Sequence, residues 1–278
     1  MGRNGKVMAT VARLGEYRLL ERIGAGSTAM VHLAVDGRGR EVALKELRPE
    51  FAGDPDARRR LAREILALGK VHSPYVARLL DGEVGGERPY TVTRYVPGTT
   101  LRELVDTCGP LRGISLTRFA RRLAEGAAAV HAAGVVHRDL APGNVMVLGG
   151  SPVVIDFGVA YEARAGQETR PGILIGTPAY LAPELIEGGA VTPAVDVFSW
   201  AATVAFAATG RPPFGIGSLH AVCFRILRGA ADLQGVPEPL ASLLRPSLGR
   251  DPGARPPAAR LASDLARWSV EPALARTG

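Results

Sequence analysis

The chain has 278 residues, 46% of them hydrophobic and 22% charged, with a formal net charge of +7. That length buries a full core without disulfide staples, and the scattering of both charge signs excludes a disordered or fibrous chain. The arginines are dispersed and their densest group, Arg58, Arg59, Arg60 and Arg63, falls on an expected helix, so the basic balance marks no nucleic-acid partner.

Cys108 and Cys223 lie far apart with no Cys or His at metal-ligand spacing, which argues against a zinc site or a disulfide framework and fits a reducing, cytoplasmic location. The start of the chain lacks an apolar signal core, and the most apolar stretch, 197–209, is too short to cross a bilayer. No membrane span is expected in this chain.

Residues 1–16 read as an N-terminal extension. Strand-like runs at 17–23, 30–35 and 41–47, separated by Gly-rich or Gly-Arg turns, predict an antiparallel meander. Over 55–70 the apolar residues Leu61, Ile65 and Leu68 recur at helical spacing with Glu64 on the same side, predicting a helix with one inward acid. Further strands are expected at 76–80 and 90–96, ending at the Pro97-Gly98 break. Helical periodicity then dominates at 101–107, 116–133, 193–209, 219–227, 239–248 and 257–268, interrupted by short β pieces at 145–148 and 153–155. Charged residues flank those pieces, which is where chemistry is expected. Residues 270–278 read as a loose tail.

Ile23-Gly24-Ala25-Gly26-Ser27-Thr28-Ala29-Met30-Val31 lies between two strands, where glycines let backbone NH groups approach a polyphosphate; a plain tight hairpin explains the same residues. Lys45, one of only three lysines, ends the apolar run Val42-Ala43-Leu44 and faces away from Val42 and Leu44. It is either a strand lysine reaching for solvent or a phosphate ligand held by Glu64. His137-Arg138-Asp139-Leu140-Ala141-Pro142-Gly143-Asn144 places several polar residues in one short loop, and Asp156-Phe157-Gly158 follows the apolar run 153–155. Taken singly, the loop also reads as a buried polar turn.

Taken in order, these motifs resemble the protein-kinase catalytic domain over residues 17–269, most closely the eukaryotic-type Ser/Thr kinases of bacteria; the Arg-rich, Lys-poor usage suggests a high-GC source. The resemblance implies an α+β, bilobal protein-kinase fold. A small antiparallel β-rich N-lobe (about 17–96) would carry one regulatory helix, and a larger, mostly helical C-lobe would follow (about 97–269). It also implies ATP with Mg²⁺, or Mn²⁺ in its place, and transfer of the γ-phosphoryl group to Ser or Thr hydroxyls of protein substrates, with self-association for autophosphorylation.

By that resemblance, Asp139 accepts the hydroxyl proton, Lys45 and Glu64 form the phosphate-side ion pair, and Asn144 and Asp156 ligate the metal. ATP would contact Ile23, Gly24, Ala25, Gly26, Ser27 and Lys45. Val31, Ala43 and Met146 would sandwich adenine, the backbone of Arg94 and Val96 would bond its edge, and Thr93 would guard the back pocket. His137, Arg138 and Phe157 are support residues. Asp196 would brace the loop, and Arg255 would pair with Glu184 of the Gly176-Thr177-Pro178-Ala179-Tyr180-Leu181-Ala182-Pro183-Glu184 segment. Thr169 and Thr177 are the activation-loop hydroxyls, with Thr169 expected to be autophosphorylated and paired to Arg138.

Two positions depart from the family pattern. Ala29 stands at the third glycine of the phosphate loop, a small change. Ala141 stands where Ser/Thr kinases carry a Lys reaching the γ-phosphate, and Gly143 stands where tyrosine kinases carry a compensating Arg. Losing one such cation slows transfer by on the order of 10 to 10³. The same departure motivates an alternative, a pseudokinase acting as an ATP-binding regulatory module.

Overall fold

The computed structural model describes residues 12–26, 28–156 and 178–268. The chain forms two compact units, Met1–Ile65 with Leu79–Tyr95, and Leu66–Arg78 with Val96–Gly278. Residues 66–78, expected with the β-rich part, therefore belong to the helical unit.

The first unit is built on β1 (Arg13–Leu14), β2 (Tyr17–Ala25), β3 (Ala29–Val35), β4 (Glu41–Leu47), β5 (Leu79–Glu83) and β6 (Tyr90–Arg94), paired antiparallel in the order β1-β2-β3-β4-β6-β5. The sheet takes in Arg13 and Leu14, ahead of the expected start at Tyr17. Leu14 is buried with Tyr17, Ala34, Val42, Leu44, Tyr90 and Val92, so this short strand closes the apolar face of the sheet. The strand expected at 76–80 lies instead at Leu79–Glu83. Val76 makes a single parallel bridge to Val154 of the second unit, and its apolar character serves that contact. After β4 come α1 (Pro49–Ala52) and α2 (Pro55–Leu68); Ala57 and Leu61 of α2 bury against Leu47, with Ile65 packed alongside.

The second unit holds a small sheet, β7 (Thr99–Thr100), β8 (Val145–Leu148) and β9 (Ser151–Val154), and the helices α3 (Leu101–Cys108), α4 (Gly113–Ala132), α5 (Pro183–Ile186), α6 (Ala194–Thr209), α7 (Leu219–Leu227), α8 (Glu238–Ser247) and α9 (Ala258–Trp268). Gly98 needs to be glycine: its φ is +131°, and a Cβ would lie 2.8 Å from the Val147 carbonyl oxygen. Immediately after it, Thr100 and Glu103 form a reciprocal capping box that starts α3. Residues 195–208 of α6 are all buried, the pattern of a helix apolar all round and central to its unit. Trp200 of α6 donates its indole NH to the Ala120 carbonyl of α4 at 3.0 Å. Among the described residues no helix is long and apolar enough to cross a membrane.

Candidate active site

In the first unit, β-sheet register decides what faces what. Directly opposed residues of an antiparallel pair share a face. Val31 opposes Lys45 and Lys45 opposes Thr91, while Leu33, Ala43 and Thr93 form the next row, so Val31, Ala43, Lys45 and Thr93 lie on one face. Val42 and Leu44 fill the opposite, buried face. Lys45 Nζ lies 3.3 Å from Glu64 Oε1, and the Glu64 side chain is 8% exposed. Helical spacing puts Glu64 on the inward side of α2 with Leu61 and Leu68, and all three are buried.

The glycine hairpin between β2 and β3 closes through a Gly26 NH to Ala29 carbonyl bond of 2.8 Å. Neither Gly24 nor Gly26 has a positive φ, and a Cβ at either would meet its neighbours no closer than 3.5 Å. The hairpin therefore does not itself require these glycines. Ile23 is 43% exposed on the outgoing strand, and Ala29 is buried where the strand resumes. Arg94 is exposed at the end of β6.

In the second unit, Asp196, in the first turn of α6 and fully buried, accepts from the backbone NH of His137 and of Arg138, both at 2.7 Å. It also bonds His131 Nε2 at 2.9 Å. Thr203, two turns along α6, donates to the Leu140 carbonyl at 2.9 Å. One helix thus holds both sides of Asp139. The His137 ring accepts from the Asp139 NH on Nδ1 at 3.2 Å and faces the Ile155 carbonyl with Nε2 at 3.2 Å, which assigns the ring proton to Nε2.

Asn144 donates its side-chain amide to the Asp139 carbonyl (2.9 Å) and to Asp139 Oδ2 (2.8 Å), and its backbone carbonyl accepts from the Ile155 NH (2.9 Å). Ile155 is therefore fastened by both His137 and Asn144, which delivers the next residue, Asp156, beside them. Arg138 (φ 71°) and Asp156 (φ 51°) adopt the left-handed conformation, uncommon for residues with side chains and concentrated at functional sites. With its NH₂ group committed to Asp139, Asn144 turns Oδ1 the other way. That oxygen and the exposed Asp156 carboxylate are both hard oxygen donors, the chemistry that Mg²⁺ accepts while keeping several waters. Met146 of β8 packs on Ala77, Val96 and Val153, so two of the residues expected near adenine share one cluster.

Arg255 donates Nη1 and Nη2 to the two Glu184 oxygens at 2.7 and 2.8 Å, and also bonds the carbonyls of Gly249, Ala194 and Arg250. Tyr180, close by in sequence, accepts from Arg102 on its hydroxyl, and burial pushes its phenol well above the ordinary range. Ser27, Phe157, Thr169 and Thr177 lie outside the described residues. His131, Thr203 and Arg102 were not singled out from sequence. Nothing in their local sequence marks them, because each acts on a segment distant along the chain.

A family model described as "Protein kinase domain" matches residues 17–264, and the chain belongs to that family. It has the protein-kinase fold. A crystal structure of Rad53 1–466 in complex with AMP-PNP superposes with a TM-score of 0.74 at 24% identity, covering 90% of this chain and 64% of that one. Among curated proteins, the chain is 41% identical to "Probable serine/threonine-protein kinase PkwA" of Thermomonospora curvata, over 91% of this chain and 34% of that protein. It is 39% identical to serine/threonine-protein kinase AfsK of Streptomyces coelicolor, over 91% and 32% respectively. Serine/threonine-protein kinase PknL of Mycobacterium tuberculosis is 32% identical, over 86% and 62%. The chain spans about a third of the length of the first two relatives.

Proposed function

We propose that this chain is an active Ser/Thr protein kinase domain that transfers the γ-phosphoryl group of ATP to hydroxyls of protein substrates and of its own copies. The observation that carries the reading is the doubly held catalytic loop. Asp196 fixes the backbone ahead of Asp139, and Asn144 ties Asp139 to Ile155, the residue before Asp156.

In this reading Asp139 orients the incoming hydroxyl and takes its proton, while Asn144 fixes the carboxylate rotamer through Oδ2. Asn144 Oδ1 and Asp156 would hold Mg²⁺, which when bound would neutralise charge on the phosphate oxygens. Lys45, steadied by Glu64, reaches the α- and β-phosphates. The hairpin glycines 24 and 26, which the turn itself does not demand, leave room for those phosphates to meet backbone NH groups. In the first unit Val31 and Ala43 are assigned to adenine, the Arg94 backbone to its edge and Thr93 to the back of its pocket; in the second unit Met146 is assigned to adenine and the Val96 backbone to its edge. The Glu184–Arg255 bridge fixes the segment that receives the protein substrate. Two unpaired thiols, Cys108 and Cys223, suit a cytoplasmic setting where ATP is held.

The test is incubation with labelled ATP and a generic basic protein, with Mg²⁺ titrated and the phosphorylated residues identified. Label on Ser or Thr that rises with Mg²⁺ supports the reading. Nucleotide binding without transfer would favour the pseudokinase reading that Ala141 motivates, and label on Tyr would overturn the substrate class.

A further inference from the structure

The turn joining β5 and β6 ties α2 to β4, the two elements that carry Glu64 and Lys45. Glu83 shapes this turn by accepting from the NH groups of Gly85 (2.6 Å) and Gly86 (3.2 Å) on one oxygen. From α2, Arg58 spreads its guanidinium over three carbonyls: Nε to Ala52 at 2.6 Å, Nη2 to Gly86 at 2.9 Å, and Nη1 to Val84. From the turn itself, Arg88 forks onto Glu46, with Nε to Oε1 at 2.6 Å and Nη2 to Oε2 at 2.9 Å. Glu46 is 3% exposed and sits next to Lys45 on β4. The hydrophobic contacts follow the same path, since the Val84 side chain packs in the cluster of Leu47, Ala57, Leu61 and Ile65. At Gly82 a Cβ would lie 2.5 Å from Ile65 Cδ1, so a larger residue there would displace the Ile65 side chain of the helix.

We propose that Arg58 is a positioning residue for the Lys45–Glu64 pair, holding α2 on the β5–β6 turn so that Glu64 stays within reach of Lys45. Arg58 and Glu64 are six residues apart, about 240° around the helix, so Arg58 leaves the pair itself untouched and acts on the helix's rotation and height. A guanidinium suits this task because its planar fork fixes several acceptors at once, which an ammonium cannot do. Arg88 completes the linkage by fastening the same turn to the strand of Lys45. This inference rests on the kinase reading for its functional consequence and on the first unit alone for its geometry.

The experiment is a double-mutant cycle. Arg58→Met keeps the aliphatic stem and removes every donor; kcat is expected to fall on the order of tenfold. In a Glu64→Gln background the same change is expected to cost nothing further, because the pair it positions is already broken. Backbone amide exchange across α2 is expected to accelerate in Arg58→Met, a readout that needs no activity. Arg58→Lys, which keeps the charge and one donor, is expected to fall between wild type and Arg58→Met, and it replaces the Met variant should that fail to fold. Losses that multiply in full with Glu64→Gln, or α2 exchange left at the wild-type rate, overturn the proposal. A wild type that transfers no phosphate overturns the kinase reading instead, and α2 exchange then decides this inference.

Discussion

Ala141 is 3% exposed, and its backbone starts the short 3₁₀ turn 142–144 that carries Asn144, so its methyl is enclosed by its own unit. A Cβ at Gly143 meets nothing within 4 Å. The missing cation is therefore easier to restore at 143 than at 141. Gly143→Arg and Ala141→Lys are both expected to raise kcat, by somewhere from about 10- to 10³-fold if the new charge reaches the γ-phosphate. Gly143→Arg should do so without lowering Tm. Steady-state kinetics and a melting curve decide it; unchanged rates in both variants would mean that another group already serves the phosphate. Arg255 offers a residue-scale test of stability. Its side chain is fully enclosed and makes five hydrogen bonds, two of them to Glu184. Arg255→Met leaves a buried carboxylate without its cation, a loss of about 3–5 kcal/mol, readable as a Tm drop on the order of 10 °C.

At the scale of elements, apolar periodicity locates most helices within a few residues, because α2, α3, α6, α7 and α9 each bury one stripe or their whole surface. Periodicity misleads where a segment's apolar residues serve another element. Val76 and Ala77 look like a strand but bond β9, and β5 begins later, with Gly82 shaped by Ile65. The two-residue β1 carries too little pattern to be seen, although Leu14 lies in the core. On the covered face of the sheet, His32 packs near Glu46, with Arg88 and Arg22 also bearing on it. Burial lowers its pKa more than Glu46 raises it. The folded state then binds this proton less readily than the unfolded chain does. Stability is lost as pH falls below the unfolded value of about 6.5 and levels off below the folded value. His32→Gln should show a smaller Tm drop than wild type between neutral and mildly acidic pH; equal drops would remove His32 from the account.

At the scale of the whole molecule, the order of the motifs along the chain was legible, from the glycine hairpin through Lys45, Glu64, Asp139, Asn144 and Asp156 to Glu184 and Arg255. Each rests on local residues at fixed spacing. The bonds that hold these motifs were less legible. Asp196 was expected to brace the catalytic loop, but His131 and Thr203, which extend that brace, join segments some 60 residues apart. Arg58 likewise bonds the β5–β6 turn, 26 and 28 residues further along the chain. Side chains that fasten distant backbone carry no periodic signature, and only the folded chain brings them together.

The most direct test of the central claim is the rate of phosphoryl transfer from Mg-ATP by the wild-type chain and by Asp139→Asn, measured on one protein substrate. Nucleotide affinity is measured alongside. The expected result is transfer to Ser or Thr by the wild type, its loss by several orders of magnitude in Asp139→Asn, and little change in affinity, since Asp139 acts on the hydroxyl. Equal rates in the two proteins would contradict it.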